Sequence, residues 1–327
     1  MGSFARFATL SLLMAPACRT TIASSDLSSA RRSALSSART FRDCRTCPEM
    51  VIIPAGTFRM GSSQSEKSWA ATHGGNMASV ADESPQHAVS IGSFALGIYD
   101  VTLDQYAEFV GETGYSVGDG CQISPSANGY FDGNLKNERA NASWKNPGFA
   151  QIGSDPVVCV SWHDSNAYVS WLNRKVRPPG EQSINGPYRL PTESEWEYAA
   201  RGATTGLFWW GDNDAEAGQH AWYRDNSGGH PHPVGSKGAN AFGLYDIVGN
   251  VWQWTEDCYA DSYAAAPTNG SAAEAGSDCM RVDRGGSWFY PKWLLRSAPR
   301  ERNPADYRSA IMGFRVARSL PQRRGGQ

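Results

Sequence analysis

AFGLYDIVGNVWQWTEDCY, residues 241–259, packs two glycines and two tryptophans into a short stretch with little helix signal. Its surroundings read the same way. Upstream stand Trp209-Trp210-Gly211-Asp212, Asn226-Ser227-Gly228-Gly229 and Gly235, and downstream Arg284-Gly285-Gly286-Ser287-Trp288 and Met312-Gly313-Phe314-Arg315-Val316. Glycine and asparagine mark turns, and tryptophan supplies large apolar area between them. The whole chain carries 12 Trp and 34 Gly, which predicts short strands, many turns and aromatic plugs rather than long helices.

Regular elements are expected earlier in the chain. MVIIPAGTFRM (50–60) is an apolar run followed by alternation, an opening strand pair, and HAVSIGSFALGIY (87–99) predicts another. The polar stretch 63–85 between them reads as a surface loop. Thr102 caps a helix with Leu103, Tyr106, Ala107 and Val110 on one face and Gly111 near its end. After a loop over 112–155, VVCVSW (157–162) predicts a strand, and Asp164 begins a helix through Ala167, Trp171 and Leu172. The chain must turn around Pro178-Pro179-Gly180. Thr192-Glu193-Ser194-Glu195 is a capping box for a third helix, ended by Gly202. Helices early and irregular glycine- and tryptophan-rich structure late predict an α+β fold with high loop content and no internal repeat.

The 327 residues are divided into residues 1–23 as a signal peptide, 24–43 as a disordered linker, 44–320 as one domain and 321–327 as a disordered tail. Arg6 followed by FATLSLLMAPA (7–17), ending in Ala15-Pro16-Ala17, has the form of an export signal. A lipoprotein signal with a lipid anchor at Cys18 is the alternative. Residues 19–43 are rich in Ser, Arg and Ala, a composition unable to bury enough apolar surface to fold. The other six cysteines form an even set, and sequence proximity favours Cys44–Cys47, Cys121–Cys159 and Cys258–Cys279 out of the connectivities open to six. Such pairs persist in oxidising compartments, so the chain is expected to be extracytoplasmic, periplasmic or secreted. A net charge of −2 gives no electrostatic reason to expect nucleic acid, and no apolar run is long enough for a membrane span.

Seven stretches, in order, give this chain a resemblance to the formylglycine-generating-enzyme (sulfatase-modifying-factor) family. They are IPAGTFRMGS (53–62), VTLDQYAEFV (101–110), PVVCVSWHDS (156–165), YRLPTESEWEYAARG (188–202), the opening stretch, RGGSW (284–288) and GFRVARS (313–319). The resemblance implies a large irregular C-type-lectin-like fold, oxidoreductase chemistry that turns a protein cysteine into formylglycine, and structural calcium. By that resemblance the calcium ligands are Asp246, the carbonyls of Gly249 and Val251, and Gln253, where the family usually has Glu. A neutral amide there removes one negative charge and should weaken binding.

The sequence departs from the family at its chemical centre. The oxidases carry two cysteines shortly after the RGGS motif, where they bind copper and engage the substrate thiol. Here Tyr290 takes the first position, the second falls near Leu295, and no cysteine follows Cys279. Copper is therefore not expected, since a Cu(I) site selects soft thiolates. What the resemblance leaves is a groove beside the RGGS turn, with Trp252, Ser287, Tyr290, Trp293 and Arg296 as its expected residues and Arg300 and Arg302 extending it. Trp, Tyr and Arg are the side chains that anchor ligands. Two readings follow: a divergent family member acting on or binding a peptide or small exported metabolite, or a non-catalytic ligand-binding domain of C-type-lectin-like fold. His230 and His232 form an H-x-H pair that could hold a metal, but in a glycine-rich turn they read as surface residues.

Overall fold

The computed structural model describes residues 1–2, 40–118, 120–123, 138–178, 186–276 and 278–321. The expected signal, Cys18, most of the linker and nearly all of the tail lie outside the described residues. The linker's last residues do not: Thr40–Phe41 form a strand, β1, and Asp43 accepts from Tyr188 Oη and Arg318 Nε, both at 2.7 Å. The folded unit thus starts earlier than composition suggests, because backbone pairing needs no large side chains.

The opening strands are β2 (Met50–Ile53), β3 (Gly56–Met60), β4 (His87–Ile91) and β5 (Phe94–Gly97). They are not two hairpins. β2 pairs with β5 and β3 with β4, both antiparallel, so each expected pair is split between two sheets. Between β3 and β4 lies a helix, α1 (Gln64–Thr72), where a loop was expected. Ser63 Oγ accepts from Glu66 N and the Glu66 carboxylate accepts from Ser63 N, a capping box that starts it.

Helix α2 (Leu103–Thr113) is capped by Thr102 and stops at Gly114, left-handed at φ 64°, one turn beyond Gly111. Short strands β6 (Cys121–Gln122) and β7 (Glu138–Arg139) follow. Helix α3 (Trp162–Lys175) is capped by Ser161, and the expected strand over 157–162 is instead irregular chain bent at Cys159, φ 60°, with Trp162 already in the helix. Strand β8 (Tyr188–Arg189) leads into helix α4 (Glu193–Arg201), all nine residues of which are buried. The late chain supplies β9 (Trp252–Cys258), β10 (Arg281–Arg284), β11 (Arg300–Asn303), β12 (Met312–Gly313) and β13 (Ala317–Ser319).

Two sheets organise the molecule: a five-stranded one ordered β1-β2-β5-β13-β8 and a four-stranded one ordered β11-β10-β9-β12. The second is antiparallel except for β12, which runs parallel to β9 with Met312 opposite Trp252. Helix α4 packs against this sheet and against β3 and β4. Three disulfides staple the loops: Cys44–Cys47, Cys121–Cys159 and Cys258–Cys279, with Cα separations of 5.0, 5.5 and 5.6 Å. No helix among the described residues is long and apolar enough to cross a membrane.

Candidate functional site

Successive side chains of a strand point to opposite faces of a sheet. In β10 this sends Arg284 toward α4 and Asp283 the other way, toward a cavity of about 780 Å³. The cavity lies over β9–β12 on one side and is closed on the other by the segment after α1. Trp252 and Met312 belong to its floor, and Tyr290 meets Trp252 edge to face at 5.9 Å between centroids. Trp293, in the short 3₁₀ helix Lys292–Leu295, forms a wall with Gly74 and Gly75 lying flat upon it. A Cβ at Gly75 would stand 3.3 Å from the indole, so that close approach requires glycine.

Of the five expected groove residues, Trp252, Tyr290 and Trp293 line this cavity, though all three are largely buried rather than displayed. Ser287 and Arg296 do not line it. Ser287 is fully buried and shapes the turn, its hydroxyl accepting from Phe289 N at 3.3 Å and its carbonyl from Tyr290 N at 3.1 Å. Arg296 is fully buried too. It donates to both oxygens of Glu83 at 2.9 and 2.8 Å and to Ser62 Oγ at 3.1 Å, which makes it a tie between distant segments. Trp288 is a core plug whose Nε1 donates to the Ala310 carbonyl at 3.0 Å.

The structure places the expected Arg300 and Arg302 at the cavity and brings in residues the sequence reading missed: Asp82, Tyr259, Asp283 and Glu301. Tyr259 Oη donates to Asp82 Oδ2 at 2.8 Å, and burial raises the Asp82 carboxyl above its ordinary range. Asp283 is buried. Its Oδ2 accepts from Asn303 Nδ2 at 2.8 Å, and its Oδ1 has no hydrogen-bond partner among the described residues. Burial, with Glu301 opposite it on β11, holds this carboxyl well above the usual carboxylate range, despite Asn303 and Arg284 nearby. The one available signal was an aspartate inside the strand-like run Arg281-Val282-Asp283-Arg284, a residue type depleted in strands.

The two arginines at the cavity offset these acids only in part: Arg300 draws Asp82 down and Arg302 draws Glu301 down, but burial outweighs both. Arg300 holds Glu193 through Nε and Nη2, both at 2.8 Å, and Arg302 pairs with exposed Asp261 at 3.1 Å while lying over the Tyr259 ring. The cavity is therefore acidic on balance, with aromatic walls.

The loop expected to hold calcium is sharply curved, with Asp246, Gly249 and Asn250 at φ 49°, 77° and 59°. Asp246 Oδ2 accepts from Gly235 N at 2.7 Å. Its Oδ1 is buried without a partner, and burial pushes the carboxyl up to about 6. That orphaned oxygen suits a cation. Gln253 does not suit one. Its Oε1 accepts from Trp196 Nε1 and from Arg315 Nε, both at 2.7 Å, and its Nε2 donates to the Asp246 carbonyl at 2.9 Å. Two donors use both lone pairs of the amide oxygen. The His230 and His232 rings stand 4.6 Å apart, each with one nitrogen facing a backbone carbonyl. Among the described residues no three His, Cys, Asp or Glu side chains gather as a metal cluster.

Fold and cavity together define a mixed α+β domain of the irregular, disulfide-stapled kind with a cavity over a small sheet. Residues 36–320 match the family described as the sulfatase-modifying factor enzyme 1-like domain, and the chain belongs to that family. It is 31% identical over 317 residues to the formylglycine-generating enzyme of Mycobacterium tuberculosis, an alignment covering 82% of this chain and 96% of that one. It is 30% identical over 305 residues to the inactive C-alpha-formylglycine-generating enzyme 2 of Mus musculus, covering 83% and 86%. Among solved structures it is similar to PvdO from Pseudomonas aeruginosa, with a TM-score of 0.71, 32% identity, and 86% and 98% of the two chains covered.

Proposed function

We propose that the groove over β9–β12 receives a peptide or small exported metabolite, and that the chain is not a copper-dependent sulfatase activator. The observation that supports this most is what occupies the groove. Tyr290 stands there in the position that the family resemblance assigns to a thiol, and no cysteine is among the described residues that line the cavity. All six described cysteines are paired in disulfides, which leaves no thiolate among the described residues to bind Cu(I) or to engage a substrate thiol. A volume of about 780 Å³ is within the range of pockets that take small molecules or short peptides. The disulfides also support an extracytoplasmic location.

Structural calcium belongs to the same reading in a reduced form. Asp246 Oδ1 and the carbonyls of Gly249 and Val251 would hold the ion, and Gln253 props the loop through Arg315 and Trp196 without ligating it. The ion would supply rigidity to the turn leading into β9.

The chemistry is tested by incubating the protein, with and without copper, with a Cys-x-Pro-x-Arg peptide of the sulfatase type. The peptide mass is expected to stay unchanged. A loss of about 18 Da, the conversion of a thiol to an aldehyde, would overturn the proposal and require oxidation without a free cysteine.

A further inference from the structure

We infer that the groove selects a ligand bearing an organic cation, an ammonium or guanidinium group, which it seats between the Asp283 carboxylate and the aromatic floor. This rests on the ligand-binding reading of the groove and names its ligand class. Asp283 is 1% exposed and lines the cavity with one carboxylate oxygen unpartnered. A buried acid without a counter-charge is costly unless a partner arrives. The buried glutamates of α4, on the other side of the sheet, have their arginines: Glu193 has Arg300 and Arg284, and Glu197 has Arg284 and Arg201. Asp283 has only the Asn303 amide.

Three further features point to the same ligand chemistry. Glu301 lies directly opposite Asp283 in the β10–β11 register and lines the same cavity, and Asp82 adds a third acid. Arg300 and Arg302 have their ion pairs with Glu193 and Asp261, draw Asp82 and Glu301 down only in part, and neither pairs with Asp283. Trp252, Tyr290 and Trp293 present ring surface around these acids, the setting in which cations bind to aromatic faces, whereas the Tyr259 ring already carries Arg300 and Arg302. An anionic ligand would meet like charge on entry, and a neutral donor would pair the Asp283 oxygen without balancing its charge.

Isothermal titration of the disulfide-intact protein with three peptides tests this. They are Ac-Gly-Ala-Lys-Ala-Gly-amide and its analogues with norleucine or glutamate in place of lysine. The lysine peptide is expected to bind at least tenfold more tightly than the norleucine peptide, and the glutamate peptide more weakly than either. Asp283→Asn keeps the shape and the Asn303 contact and should abolish the tenfold preference. Exposed Glu301→Gln, which carries little folding risk, should reduce it severalfold. Norleucine or glutamate binding as tightly as lysine would overturn the cation inference and leave the groove as a ligand site. A preference that survives Asp283→Asn would overturn the role of Asp283. No heat from any of the three peptides would overturn the cation inference together with the peptide reading of the groove.

Discussion

Arg284 and Asp283 are adjacent in β10, and the two faces they serve are built on opposite electrostatic plans. On the α4 face, Glu66, Glu193 and Glu197 meet Arg201, Arg284 and Arg300 in a buried network. Burial alone would raise Glu197, but Arg201 and Arg284 beside it outweigh that and hold it below the ordinary carboxylate range. On the groove face, Asp283 experiences the same desolvation without an ion pair, the pull of Arg284 is too small to offset it, and its carboxyl moves up. Two acids separated by the thickness of one sheet are shifted in opposite directions by what surrounds them. The balanced face is architecture that holds α4 to the sheet, whereas the unbalanced face carries a standing cost, the pattern expected where a ligand completes the site.

The largest effect should come from unbalancing the first face. Glu197→Gln leaves three buried guanidiniums facing two carboxylates, and breaking such a network costs about 3–5 kcal/mol. Urea denaturation should show a midpoint lowered accordingly, and an unchanged midpoint would mean that the network does not tie α4 to the sheet. The pH dependence of this contribution has a definite sign. Glu197 is depressed in the folded protein, so its stabilisation is present above the unfolded carboxyl range near pH 4 and is lost on acidification through its lower folded value.

A smaller effect should follow from Gln253→Glu. Here the amide's Nε2 donates to the Asp246 carbonyl, whereas a carboxylate could keep Trp196 and Arg315 on one oxygen and offer the other to a cation. Calcium at about a hundred times its dissociation constant would then stabilise the variant by about 2.7 kcal/mol. The parent, lacking that charge, should gain less from the same calcium. Equal melting temperatures in calcium and in chelator for the variant would mean that this loop takes no ion.

Local signals were legible in the sequence and long-range pairings were not. The Thr102 and Thr192 caps and the Gly202 stop depend on residues within a turn of one another, so spacing reveals them. The Ser63-x-x-Glu66 box was equally local, but it opens a short polar helix without a clear apolar stripe and reads as loop. Strand partnership failed where adjacency in sequence suggested hairpins, because β2 and β3 belong to different sheets. In the groove, the family motifs pointed to Trp252, Tyr290 and Trp293. They also pointed to Arg296, whose partner Glu83 is 213 residues away and turns it into the core. Asp82 and Asp283 lie outside the family motifs, Tyr259 closes one without an assigned role, and only the meeting of β10 with the segment after α1 reveals them.

The most direct test of the contrast between the faces is the stability of Asp283→Asn as a function of pH. A carboxyl raised in the folded state costs stability progressively as pH climbs above the unfolded value near 4, because the unfolded chain ionises first. Removing it should therefore stabilise the protein at neutral pH, where the unfolded chain is ionised and the folded carboxyl resists ionisation. The gain in melting temperature should be larger near pH 8 than near pH 5. A variant less stable than the parent at both pH values would contradict the account, placing Asp283 with Glu197 among the acids that hold the fold together.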